Sequence, residues 1–193
     1  MTAKWVGAGI VRFVCALLLG CFLTRPANGQ VTRTWAVAGT GNWHDANNWE
    51  PNTDYPRTGE TAIVDQGEAQ IGGEDAAALK LWIAPTAGSV GSVQVGPGRS
   101  LVLYSTELDQ GVRVGQAGCG TFTQEGNVSG YTYTFVSIGG AAAGTGVYLL
   151  QSTGVLSNIA ELTVGNAGTG SLAHSGGAGS RPAPGGKDAG RAA

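Results

Sequence analysis

VRVGQAGCGTFTQEGNVS, residues 112–129, returns as VSIGGAAAGTGVYLLQSTGVLS at 136–157 and as LTVGNAGTGSLAHSGG at 162–177. Each copy opens on an apolar, polar, apolar triplet closed by glycine, at Gly115, Gly139 and Gly165, and the second interval is longer than the first by two. A Gly-x-Gly pair follows each time (Gly118 and Gly120, Gly144 and Gly146, Gly168 and Gly170), and then an alternating run carries Phe122, Tyr148 or Leu172. The two extra positions fall in the loop 140–143, where an insertion disturbs no strand. A period of roughly 25 residues, built from short alternating strands with glycine corners, reads as a solenoid of stacked β coils.

Alternation puts Val112 and Val114, Val136 and Ile138, Leu162 and Val164 on one face of a strand, with Arg113, Ser137 and Thr163 on the other. The apolar set points inward. One such strand cannot bury its apolar face alone, so the coils must stack, each pairing its backbone with the next at about 4.8 Å. Glycine suits the corners because it turns with φ > 0 without a Cβ clash. The 34 glycines of this 193-residue chain would also suit a flexible linker, but a linker has no reason to keep the triplet in phase. A weaker copy precedes the three: Leu81-Trp82-Ile83-Ala84 as the triplet, Gly91 to Val95 as a second strand, Gly98 as a corner and Ser100 to Tyr104 as a further strand. The count is about four coils, the last incomplete.

Residues 1–29 have the three-part build of a secretory signal peptide: Lys4 and Arg12 at the start, an apolar core from Phe13 to Leu23, and Ala27-Asn28-Gly29 as a small-x-small cleavage site. The core is shorter than the roughly 20 residues a spanning helix needs, so no stable membrane span is expected once the leader is cleaved. A competing reading makes Leu18-Leu19-Gly20-Cys21 a lipoprotein box, although Phe22 and Leu23 continue the apolar run past the cysteine. The leader takes with it Lys4, Arg12 and Arg25, leaving eight basic against thirteen acidic residues, a formal charge of −5. That balance repels phosphate backbones and argues against a nucleic-acid partner. Cys15 and Cys21 leave too, so Cys119 remains alone and no intrachain disulfide can form. It stands where the other copies have Thr145 and Thr169 and reads as a small loop residue.

Between leader and repeats, residues 34–71 have a different composition: Trp35, Trp43 and Trp49 are interleaved with glycine, asparagine and proline. Three indoles this close can cover the open end of a β stack, and this is the expected role. The alternative is a carbohydrate platform of exposed tryptophans. The same segment holds the best candidate for a ligand, calcium, since Asp45, Asn47, Asn48, Glu50 and Asp54 offer oxygen donors in a short loop. Asx turns account for the same residues, and the spacing is neither that of an EF-hand nor that of calcium-binding nonapeptide repeats. No nucleophile, base and orienter can be assembled from the sequence. His174 takes the repeat position of Gln124, and the acids of residues 112–177, Glu125 and Glu161, lie at different places in the repeat. No enzyme activity is expected.

Trp35, Gly39-x-Gly41-Asn42-Trp43, Asn48-Trp49, Pro56 and Gly59-x-Thr61-Ala62, followed by Val114-Gly115, Gly118-x-Gly120-Thr121-Phe122-Thr123-Gln124 and Gly168-Thr169-Gly170, resemble the opening segment and the Gly-rich coils of large secreted bacterial repeat proteins. These are the autotransporter-type passenger domains and the planctomycete surface proteins that often end in a PEP-CTERM signal. The resemblance spans residues 34–177 with gaps. It implies an all-β, short right-handed parallel β-helix outside the cell, a structural or adhesive role, and partners such as cell-surface polysaccharide or other surface proteins. It brings no catalytic residues, and a degenerate polysaccharide lyase is a further alternative of the same scaffold. The expected organisation is a signal peptide at 1–29, a Trp-rich cap segment at 30–80, the solenoid at 81–177 and a disordered tail at 178–193. Family members run for hundreds of residues, so the chain reads as a short or truncated member. An unfinished last coil would aggregate unless a partner covers its edge.

Overall fold

A computed structural model describes residues 30–105, 111–176 and 178–179; the expected signal peptide and the expected tail beyond residue 179 lie outside them. The described chain is a parallel β-solenoid of about five turns. Three ladders of parallel strands run along it. The first comprises β1 (Thr32–Trp35), β4 (Thr61–Val64), β7 (Lys80–Ile83) and β10 (Val112–Val114), continued by the second halves of β12 (Asn127–Ile138) and β14 (Val155–Val164). The second comprises β2 (Thr40–Asn42), β5 (Gln66–Ile71), β8 (Val90–Val95), β11 (Cys119–Gln124), β13 (Thr145–Gln151) and β15 (Thr169–Ser175). The third comprises β6 (Ala76–Ala78), β9 (Ser100–Leu103), the first halves of β12 and β14, and β16 (Ala178–Gly179). β3 (Trp49–Glu50) pairs antiparallel with β1 at the N-terminal end.

The three sequence copies stack in the expected register: Val112 lies beside Val136 and Val136 beside Leu162, while the weaker copy places Leu81 beside Val112. Gly115, Gly139 and Gly165 are left-handed corners with φ of 63°, 69° and 69°. The two-residue offset falls between Ile138 and Thr145. The inward positions form continuous columns, among them Ala62, Leu81, Val112, Val136 and Leu162 in the first ladder and Ala69, Val93, Phe122, Tyr148 and Leu172 in the second. Such columns are what makes the coils inseparable, since no single strand can bury its own apolar side.

Two expected boundaries move. The solenoid does not begin at residue 81: β4, β5 and β6 already form a full coil within the segment read as a cap, and β1 and β2 contribute to another. Their signal is weak because this coil is short, the interval from Ala62 to its partner Leu81 being smaller than any later one in that column, and its inward residues are mostly alanines. At the other end, Ala178 and Gly179 pair with Val155 and Leu156, so the first two residues of the expected tail belong to the last coil.

Candidate functional site

The first coil is closed by a loop that folds back over it. Trp35, Trp43 and Trp49 are all buried, at 1%, 0% and 0% exposure, and meet edge to face with centroids 5.0 and 4.8 Å apart. This corrects the reading of these tryptophans as an exposed platform: none of the three offers an indole face to a sugar. The next coil has mostly small inward side chains, Ala62, Ala69, Ala76 and Ala78 beside Val64 and Ile71, which leaves room for the indoles in the shared core. The Trp49 indole N–H donates to the Trp43 carbonyl at 2.8 Å, whereas the Trp35 and Trp43 N–H groups find no protein acceptor.

Arg33 ties the cap to the loop beyond it. It is 7% exposed, its Nε and Nη2 donate to the two Glu60 oxygens at 2.9 and 3.0 Å, and its Nη1 donates to the Pro51 and Asp54 carbonyls and to Thr53 Oγ1. A bidentate, nearly buried pair of this kind holds geometry as well as charge. The bonds to Glu60 raise the guanidinium above its ordinary value.

The oxygen donors read as a calcium loop are used differently. Asp45 caps the 3-10 helix Ala46–Asn48, its Oδ1 accepting from the Asn47 amide and side chain at 3.0 Å each. Asn48 donates to the Asn42 carbonyl at 2.9 Å. Asp54 accepts from the Tyr55 amide and is paired with Arg57 at 2.9 Å; Arg57 first, then the amide, holds its carboxyl below the ordinary range. Glu50 is exposed on β3. Asp45 and Asp54 therefore accept from separate N–H groups within the cap, as in Asx turns, while Asn47 and Asn48 donate, and among the described residues no three His, Cys, Asp or Glu side chains converge as a metal site.

The remaining polar chemistry lies outside the cap. In the core, Gln124 is fully buried, donates to the Gly126 and Val155 carbonyls at 2.9 and 2.8 Å, and accepts from the Tyr148 hydroxyl one coil on. Burial pushes the Tyr148 phenol far above its ordinary value. His174 does share the column of Gln124, through Leu150, and is exposed. Glu125 accepts from Gln94 at 3.3 Å and Glu161 from Thr163 at 2.9 Å, each on a different element. A shallow depression of about 550 Å³ on the outer side of the second ladder is lined by Gln66, Val90, Ser92, Cys119, Thr121 and Thr145. Cys119 is exposed there, next to the threonine of the following coil, as its repeat position implied.

Exposed aromatic surface occurs at a place the sequence reading passed over. Tyr104 and Tyr131 stack at 5.3 Å and 29°, and Tyr131 is 69% exposed. Each follows directly on partnered residues of the third ladder, Leu103 and Gly130. That shared place was visible in the repeat, but only once β9 and the first half of β12 are aligned. On the first ladder, the Arg113 guanidinium lies 5.3 Å over the Trp82 ring.

No family model matches the chain, and neither the curated proteins nor the solved structures include a match.

Proposed function

We propose that the protein is a non-catalytic, exported structural or adhesin-like solenoid of the bacterial cell surface, with surface polysaccharide or another surface protein as its partner. The observation that supports this reading is the outer side of the second ladder. Polar side chains recur there through three successive coils, Glu68, Ser92 and Thr121 in one row and Gln70, Gln94 and Thr123 in the next, before Val147 and Leu149 take these positions. Gln70 donates to Glu68 within its own strand at 2.6 Å, and bonds run along the stack from Gln70 to Gln94 at 3.2 Å and from Gln94 to Glu125 at 3.3 Å. A rigid face with repeated chemistry suits a scaffold or a multivalent contact better than it suits a single reaction centre. The signal-like segment 1–29 supports export, and no helix among the described residues is long and apolar enough to cross a membrane.

The test is to express the full chain in a Gram-negative host and identify the mature N-terminus by mass spectrometry, with antibody labelling of intact cells. Cleavage before Gln30 and surface labelling are expected; an unprocessed chain held in the cytoplasm would sink the reading. A second reading, glycan binding, draws on the exposed Tyr104–Tyr131 stack, since sugar rings pack on aromatic faces. It requires that Tyr131→Ala abolish retention on a polysaccharide column while the melting temperature stays within a few degrees.

A further inference from the structure

Asn127-Val128-Ser129 is the one Asn-x-Ser/Thr triplet in the chain, the acceptor sequence for an N-linked glycan. A triplet this short arises by chance, so its place in the fold decides the matter. Asn127 opens β12 directly after the buried corner Gly126, and the strand then alternates: Asn127 exposed, Val128 buried, Ser129 half-buried, Gly130 buried and Tyr131 exposed. The asparagine and the hydroxyl two residues on therefore share the outer face of the third ladder. Their neighbours across the ladder are small, Ser100 and Val155 beside Asn127, Val102 and Ser157 beside Ser129. The cap asparagines are engaged within the cap, Asn42 accepting from the His44 amide and Asn47 and Asn48 donating to Asp45 and to the Asn42 carbonyl. Glu125, two residues before Asn127, adds a carboxylate that a basic transferase groove can pair.

The same face carries the exposed aromatic stack. Tyr131 follows Ser129 by two on β12, Tyr104 follows Val102 by two just beyond β9, and their rings stack at 5.3 Å. Four residues of strand separate Asn127 from Tyr131, about 13 Å at roughly 3.3 Å per residue. A short oligosaccharide rooted at Asn127 and lying along the strand spans that distance. The C–H faces of sugar rings pack on aromatic rings, so Tyr131, 69% exposed, finds cover from a group fixed to its own strand.

We propose that Asn127 is an N-glycosylation site, and that the attached oligosaccharide runs along the outer face of the third ladder onto the Tyr104–Tyr131 stack. The inference rests on the reading of the chain as exported, because the donor, a polyprenyl-diphosphate-linked oligosaccharide, is met at a membrane. In the transfer, Asn127 Nδ2 forms a bond to the anomeric carbon of the first sugar. The bond from that carbon to the diphosphate oxygen breaks, polyprenyl diphosphate leaves with the electron pair, and one carboxamide proton passes to solvent; nothing is oxidised or reduced. Transfer precedes folding of this coil. In the finished solenoid the Asn127 amide donates to the Arg99 carbonyl at 2.7 Å and its strand is paired on both sides, so it has no freedom to enter a transferase. Folding then leaves the glycan outside, since Asn127 faces solvent.

The experiment expresses the full chain in a Gram-negative host that carries a periplasmic oligosaccharyltransferase and a lipid-linked oligosaccharide beginning with an N-acetylhexosamine, and reads the peptide around Asn127 by mass spectrometry. One oligosaccharide on Asn127 is expected, lost in Asn127→Gln and in Ser129→Ala, with unchanged circular dichroism in both. In proton NMR of the glycosylated protein, sugar signals should be shifted upfield by the tyrosine rings and return to free-glycan values in Tyr131→Ala, which keeps the modification. The chain from Gln30 onward, placed behind an established secretory leader, separates the inference from the export reading. A processed chain with a bare Asn127 overturns the inference and leaves export standing. A native leader that stays uncleaved, while Asn127 is glycosylated behind the borrowed one, sinks the export reading and upholds the acceptor site. A glycan whose signals keep their free values in the presence of Tyr131 overturns the stacking.

Discussion

Gly115, Gly139 and Gly165 occupy one position of the repeat with nearly one backbone conformation, φ of 63°, 69° and 69°, but with different neighbours. A Cβ on Gly115 would fall on the Thr145 carbonyl and lie 2.7 Å from the Gly146 nitrogen, all backbone of the next coil. On Gly139 it would meet Thr169 and Gly170 in the same way, whereas on Gly165, in the last described coil, the nearest atom is 3.5 Å away. Alanine at this φ costs about 1–2 kcal/mol, and about 0.4–1 kcal/mol of that is returned by restricting the unfolded chain. Gly165→Ala should therefore cost about 1 kcal/mol. Gly115→Ala must also push neighbouring coils apart, which breaks bonds such as Thr145 N–H to Gly118 at 2.9 Å and Gly139 N–H to Val114 at 2.9 Å. Two ladder bonds at about 1 kcal/mol net each bring the total to about 3 kcal/mol. Gly139→Ala should fall between, since the terminal coil it displaces is braced from one side. Ala84 stands at the same corner one coil before Gly115, at φ 49°, so Ala84→Gly should gain up to about 1 kcal/mol as the reverse control. Urea midpoints at constant m and one fixed protein concentration would measure the series. Equal costs for Gly115→Ala and Gly165→Ala would refute the idea that close coil stacking, and not corner conformation, demands these glycines.

Trp49→Ala should cost about 3–5 kcal/mol by emptying the cap, and native tryptophan emission should be blue-shifted and unchanged by added glycans. Arg33→Met should cost about 2–4 kcal/mol because it leaves Glu60 without its bidentate partner, with chemical denaturation as the readout. Adding calcium should leave the melting temperature unchanged; a rise abolished by Asp45→Ala would show that the cap loop rearranges around a cation. The stabilisation that Asp54 gains from Arg57 is present above the ordinary carboxylate range and is lost as pH falls through its lowered value, so the loop 51–60 should gain protease sensitivity in acid. Tyr148 works in the opposite sense: with its folded value raised, its contribution is complete below the ordinary phenol value near 10 and declines above it, so alkaline unfolding should coincide with its ionisation in ultraviolet titration.

The repeat was legible because it is a local property. Val-x-Val-Gly with an alternating run marks strand, corner and inward face without reference to anything distant, and the observed register at Val112, Val136 and Leu162 follows from it. The coil from Thr61 to Ala78 escaped because its turn between Val64 and Gln66 is one residue long and its inward alanines carry little hydrophobic signal. The candidate site was half legible. Asp45, Asn47 and Asn48 have the composition of a calcium loop and of an Asx turn alike, and only the hydrogen-bond partners they meet distinguish the two.

Sequence alone therefore determined that this chain stacks β coils, where its corners fall and which side chains enter the core, since each depends on neighbours along the chain. Tertiary structure decided that the three tryptophans are buried, that Arg33 is spent on Glu60 in the loop before the next coil, that Tyr104 meets Tyr131, and that β3 and the tryptophans close the N-terminal end of the stack. Those outcomes depend on which surfaces the stacking brings together, and no period along the chain encodes that.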